Sequence, residues 1–146
     1  MVNFTAWFKQ RGARFVLSRA MNLLARYDVT PHKAITRIRS CVKQLQAYNC
    51  QPTFFVPAVV VQRNLGFIKE LQDTGCEIGV HGYQHVDMRT IPVDKASQQL
   101  QRANECLTRN GIHPSGFRCP YLSYSSELEN QLPAGLFTYS SNRSIM

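Results

Sequence analysis

CEIGVHGYQH, residues Cys76 to His85, decides how this chain folds. Its first half is a short apolar run holding the β-branched residues Ile78 and Val80, the composition of a buried strand. That run ends directly on His81, a glycine follows, and a second histidine, His85, stands four residues on. A strand that delivers side chains capable of chemistry at its last residue is the habit of parallel α/β sheets, where sites gather at the C-terminal strand ends.

Working outward, the same alternation recurs on both sides. Asn22 to Val29 (NLLARYDV) reads as a strand. Thr30-Pro31 then offers a helix start, with threonine as cap and proline at the first helical position. The helix carries Ala34, Ile38, Cys41, Val42 and Leu45 at helical spacing. Thr53 to Val56 (TFFV) reads as the next strand, followed by a helix using Leu65, Ile68 and Leu71 and ending at Gly75. After the histidines, a helix from about Val93 places Ala96, Leu100, Ala103 and Leu107 on one face and stops at Gly111. A strand at Gly116 to Arg118 leads into CPYLSY, and a short helix near Glu127 to Leu132 precedes a last strand, Leu136 to Ser140. Strands alternating with helices predict an α/β fold with a parallel sheet, open or curled into a barrel.

The 146 residues suit one domain, 1–146, with a basic arm over 1–20. Hydrophobic content of 44% against 18% charged describes a folded chain, not a disordered one. No apolar run approaches the roughly 20 residues that span a bilayer. The opening, MVNFTAWFKQRGARF, turns basic too early for a signal-peptide core, which points to a cytoplasmic protein. The five cysteines are scattered without a CxxC pair, as in a reduced protein. The net charge of +8 is concentrated between Lys9 and Lys43, a stretch opposed only by Asp28. Such a stretch suits either a solvated helix face or a polyanion partner. Neither an RNA-binding aromatic signature nor zinc-finger spacing accompanies it, so nucleic acid is not the expected partner.

Four positions carry chemistry. Neutral imidazoles at His81 and His85 are spaced to chelate a divalent metal. Taken alone the spacing is a weak signal, and a strand-end cap at His81 with a solvated ring at His85 explains it more simply. Asp28 closes the first strand and Arg118 the fourth. Alone, Asp28 could simply favour a helix N-terminus, and Arg118 could be a surface cation. Gathered at neighbouring strand ends, a carboxylate, a histidine pair and an arginine make a metal–water site with a general base and an orienting cation.

TFFVPA, EIGVHGYQH and GFRCPY, in that order and spacing, resemble the NodB-type polysaccharide deacetylases, carbohydrate esterase family 4. The resemblance runs from about Leu24 to the C-terminus. ARYDVTPHKA is similar to the family's first motif, HGYQH to its His-x-x-x-His motif, and RCPY to its Arg-x-Pro-Tyr motif. The resemblance implies an incomplete or distorted (β/α) barrel of about five strand–helix units. It implies a metal-dependent hydrolase of N- or O-acetyl groups on a carbohydrate substrate. By position, His81 and His85 would be ligands of a divalent metal, zinc first with cobalt or nickel as alternatives. Asp28 would be the general base, oriented by Arg118. Pro120 and Tyr121 would line the groove, the Tyr121 backbone N–H facing the oxyanion.

Two departures stand beside it. The aspartate that the family supplies as third metal ligand, two residues after the first, is Thr30 here. The later motifs, including the histidine segment that supplies the general acid, would lie beyond Met146, so the domain reads as truncated at its C-terminus. A homo-oligomer that completes the barrel is then an expected assembly. The alternative reading is a catalytically impaired carbohydrate-binding or scaffold protein of the same family.

Overall fold

The computed structural model describes residues 31–143 and, ahead of them, Ser18. The predicted strand Asn22 to Val29, the basic arm apart from Ser18, Asp28 and Thr30 lie outside the described residues. The chain divides between Tyr48 and Asn49 into two compact units.

In the first unit, helix α1 spans His32–Ala47. Pro31 is its cap residue (φ −68°, ψ −3°), so the helix begins one residue later than the sequence implies. Its buried stripe also differs slightly. Val42 is buried and Ile35, Ile38 and Leu45 are half-buried, whereas Ala34 and Cys41 are exposed. The spacing 35, 38, 42, 45 is the better helical row.

The second unit is built on four parallel strands in sequence order. These are β1 (Thr53–Val56), β2 (Glu77–Val80), β3 (Gly116–Phe117) and β4 (Tyr139–Ser140). Helices α2 (Ala58–Arg63) and α3 (Leu65–Asp73) connect β1 to β2. Helix α4 (Val93–Arg109) connects β2 to β3, and α5 (Ser126–Gln131) connects β3 to β4. Among the described residues the sheet is open, with β1 and β4 at its edges: an incomplete barrel of the predicted α/β class. No helix of the described residues is long and apolar enough to cross a membrane.

The period-two rule divides the sheet cleanly. Val56, Ile78, Val80 and Phe117 share one face and are buried, as are Ile68 and Leu71 of α3 and Leu100, Ala103 and Leu107 of α4. These two helices form the core with β2 and its neighbours. The opposite face carries Thr53, Phe55, Glu77, Gly79, Gly116, Arg118 and Tyr139, and β2 runs on from it to His81. Gly79 is needed there: a Cβ would stand 2.6 Å from the Phe55 ring. A Cβ on Gly116 would run into the Tyr139 ring. The two rings therefore fold inward from the outer strands across a glycine floor, meeting edge to face at 6.4 Å.

Helix α2 was not legible, because AVVVQR is rich in β-branched residues that favour strands. Tertiary contacts override that preference. Ala58 and Val61 are fully buried, and the first two amides of α2, Ala58 and Val59, donate to the carbonyls of Gly82 (3.1 Å) and Tyr83 (3.1 Å). The histidine loop is thus tied to a helix N-terminus, where free N–H groups seek acceptors.

Candidate active site

His81 leaves β2 with its amide donating to the Val56 carbonyl of β1 at 3.2 Å. The chain then turns at Gly82, whose φ of +81° and 2.9 Å approach of an imagined Cβ to the Gln84 carbonyl leave no room for a side chain. That turn brings His85 back beside His81, with ring centroids 5.0 Å apart at 61°. Tyr121 closes on the other side of His85 at 4.8 Å.

The His81 Nδ1 lies 2.7 Å from the Arg118 carbonyl oxygen. A carbonyl only accepts, so Nδ1 carries the proton and the neutral ring keeps its lone pair on Nε2. Half-burial is the main influence on His81 and holds its pKa below the ordinary 6.5, with His85 and Arg118 adding positive charge nearby and the Arg118 carbonyl opposing. The ring is therefore neutral at neutral pH, the state a metal ligand needs. Asp87, two residues past His85, is already committed: its carboxylate accepts from the Arg89 amide and guanidinium, which lower its pKa to about 2.

Arg118 belongs to the site through two different groups. Its carbonyl holds His81, while its guanidinium turns toward β4, with Nε donating to the Ser141 carbonyl at 2.8 Å and a terminal nitrogen to the Ser141 hydroxyl at 2.5 Å. The same guanidinium lies 4.8 Å over the Phe55 ring. Cys119 and Pro120 are fully buried beyond it. Burial without a charged partner pushes the Cys119 thiol up to about 12, so it stays a protonated packing residue.

The chain next makes a tight turn in which Tyr121 (φ 58°, ψ 16°) and Leu122 (φ 53°) are both left-handed. Two successive non-glycine residues in that region store roughly 1–2 kcal/mol each. Ser123 braces the turn from below, donating to the Pro120 carbonyl and accepting from the Met88 amide. The turn spends the amides of Leu122, Ser123 and Tyr124 on its own carbonyls, but not that of Tyr121. Its product is an exposed Tyr121, the residue 64% accessible, with its ring against His85.

His81, His85, Tyr121 and the Arg118 backbone are therefore brought together, with Pro120 buried beneath. Asp28 and its expected pairing with Arg118 lie outside the described residues. Among the described residues no group of three or more His, Cys, Asp or Glu gathers to hold a metal. The donors present are two imidazoles, and the tautomer imposed on His81 fits a metal ligand. The sequence did not reveal Ser141, Asn142, Ser123 or the ring contact of Tyr121. Ser141 and Asn142 reach the site only because β4 pairs beside β3.

A family model described as polysaccharide deacetylase matches residues 17–136. The chain belongs to the polysaccharide deacetylase family. It is 33% identical over 81 residues to the uncharacterized protein YlxY of Bacillus subtilis, covering 55% of this chain and 25% of that one. It is 30% identical over 104 residues to a bifunctional xylanase/deacetylase of Pseudobutyrivibrio xylanivorans, covering 70% and 17%. Among solved structures it is similar to a CE4 family pseudoenzyme from Bacillus anthracis, with TM-score 0.60 and 26% identity over 71% of this chain and 38% of that one. A mutant of that pseudoenzyme with restored enzymatic activity is also similar, with TM-score 0.58 and 28% identity over 68% and 38%. The chain thus spans a quarter or less of these curated relatives and under two fifths of these solved ones.

Proposed function

We propose that the site removes acetyl groups from an N- or O-acetylated carbohydrate with the help of a divalent metal, zinc first and cobalt or nickel as alternatives. His81 and His85 would hold the ion. One observation carries this reading: the Nδ1 contact to Arg118 leaves Nε2 as the free lone pair of a His81 ring that lies 5.0 Å from the His85 ring, at the C-terminal end of a parallel strand. When bound, such an ion polarises an acetyl carbonyl and acidifies the attacking water.

The chain's own residues supply the rest. Asp28, by its place in the first family motif, accepts the proton of the attacking water, and Arg118 orients the groups around it. The Tyr121 amide, free of the turn's own bonds, donates to the acetyl oxygen as negative charge develops there. The exposed Tyr121 ring forms one wall for a sugar. Acetate release from partially acetylated glycans tests the reading. Release that requires added metal and disappears in His81→Gln supports it; no release from metal-supplemented protein counts against it.

A second reading has its own observation. Thr30 occupies the position of the family's third ligand, an aspartate, and a hydroxyl binds hard or borderline cations far less well than a carboxylate. The likeness to a CE4 pseudoenzyme favours the same view: a carbohydrate-binding protein that keeps the groove without turnover. Thr30→Asp separates the two, because gain of acetate release only in that variant assigns the wild type to the second reading.

A further inference from the structure

The peptide unit joining Arg118 to Cys119 is held at both ends by side chains. Its carbonyl accepts from His81 Nδ1 at 2.7 Å. Its N–H donates to Asn142 Oδ1, also at 2.7 Å. Asn142 lies 23 residues further on, just past β4, and is 6% exposed. Its amide orientation is fixed by chemistry, since the Cys119 N–H requires an oxygen. Among the described residues, that leaves the Asn142 Nδ2 buried with no hydrogen-bond partner. Burying a donor without a partner is costly, so packing alone gives no reason to prefer asparagine here. A fixed acceptor for one particular amide does.

We propose that Asn142 is a positioning residue: through the Arg118–Cys119 peptide plane it fixes the ring orientation and tautomer of His81. Hydrogen bonds in a chain polarise one another. An acceptor on the peptide N–H makes the carbonyl on the far side a better acceptor, which strengthens its hold on the His81 Nδ1 proton. Rotating the plane would break both bonds at once. The neighbouring backbone adds support, with the Arg118 amide on the Val80 carbonyl at 2.9 Å and the Ser141 amide on the Phe117 carbonyl at 2.9 Å. Neither of these bonds sets the plane beyond Arg118, and Asn142 does. The inference rests on the proposed role of His81 as a ligand only for its consequence, not for its geometry.

Ring-nitrogen correlation spectra of histidine-labelled, metal-free protein, above the ordinary titration range of imidazole, read the tautomer directly. Wild type is expected to show His81 wholly protonated at Nδ1, and through-bond coupling between the Cys119 amide nitrogen and the Asn142 side-chain carbonyl. In Asn142→Leu the His81 signal should move to the mixed tautomers of a free imidazole, and Asn142→Asp, which keeps the oxygen, should restore Nδ1–H. Co²⁺ affinity should fall roughly 10–100-fold in Asn142→Leu, the usual effect of losing an outer partner of a ligand histidine. An unchanged His81 tautomer in Asn142→Leu overturns the proposal. Should that variant not fold, absence of the Cys119–Asn142 coupling in wild type overturns it equally. If the tautomer responds as expected while wild type binds no Co²⁺, the positioning role stands and the metal-site reading falls.

Discussion

Replacing Gly82 with alanine tests whether one backbone turn builds the site. Two costs combine. The residue sits at φ +81°, where an L side chain is strained by roughly 1–2 kcal/mol. A Cβ would also stand 2.9 Å from the Gln84 carbonyl oxygen and 3.0 Å from the Met88 methyl. The methyl can move but the carbonyl belongs to the backbone that carries His85, adding about 1–2 kcal/mol of overpacking. The sum, about 2–4 kcal/mol, is a large share of a typical domain stability of ~5–15 kcal/mol. Gly66 is the control. It lies in α3 with nothing within 4 Å of an imagined Cβ, so Gly66→Ala should stabilise by up to about 1 kcal/mol. Urea unfolding of both variants at matched m-values gives the stabilities, and a Co²⁺ titration gives the state of the histidine pair. Gly82→Ala is expected to lose stability and weaken Co²⁺ binding together. Wild-type values on both counts would refute the idea that this turn sets the distance between His81 and His85.

Other expectations follow from burial and charge. Native protein treated with a thiol reagent should label quickly at Cys41 and Cys50, which are exposed, and slowly at buried Cys76, Cys106 and Cys119; fast labelling of all five would contradict the core. Leu100→Ala, at a fully buried position, should cost about 2–5 kcal/mol in urea unfolding, and a loss under 1 kcal/mol on this order-of-magnitude scale would mean the α4–sheet packing is misassigned. The His81 pKa is lowered in the folded state. Between that value and the ordinary 6.5 the unfolded chain therefore binds the proton that the native protein refuses. Stability should fall as pH drops through this window, and His81→Gln should flatten the slope. A slope unchanged in that variant would show that other groups carry the acid sensitivity.

Much of the second unit was readable because pattern and packing agree there. TFFV is a strand of four residues at Thr53–Val56 as expected, and the α4 stripe of Ala96, Leu100, Ala103 and Leu107 is buried throughout. What failed to show in the sequence depends on contacts between distant residues. The run AVVVQR becomes helix because its first amides cap the histidine loop. The last strand shrinks from the expected Leu136 to Ser140 to Tyr139–Ser140, since the Leu136 amide closes a turn on Pro133 and pairing with Ser115 begins only at Thr138. HGYQH and RCPY marked His81, His85, Arg118 and Tyr121 as candidates for one site. They did not disclose that Arg118 meets His81 through its carbonyl, which requires the parallel pairing of β2 with β3. Ser141 and Asn142 carry no local signal at all, being an ordinary serine and asparagine until β4 pairs beside β3.

The decisive property of the site is whether His81 and His85 together hold a metal ion. Zn²⁺ titration of the protein against a chromophoric chelator measures this without reference to any sugar. The expected result is one equivalent of Zn²⁺ per chain in wild type, with binding lost when both histidines are replaced by glutamine and folding is unchanged. Wild type that binds Zn²⁺ no more tightly than the double variant would contradict a metal site at His81 and His85.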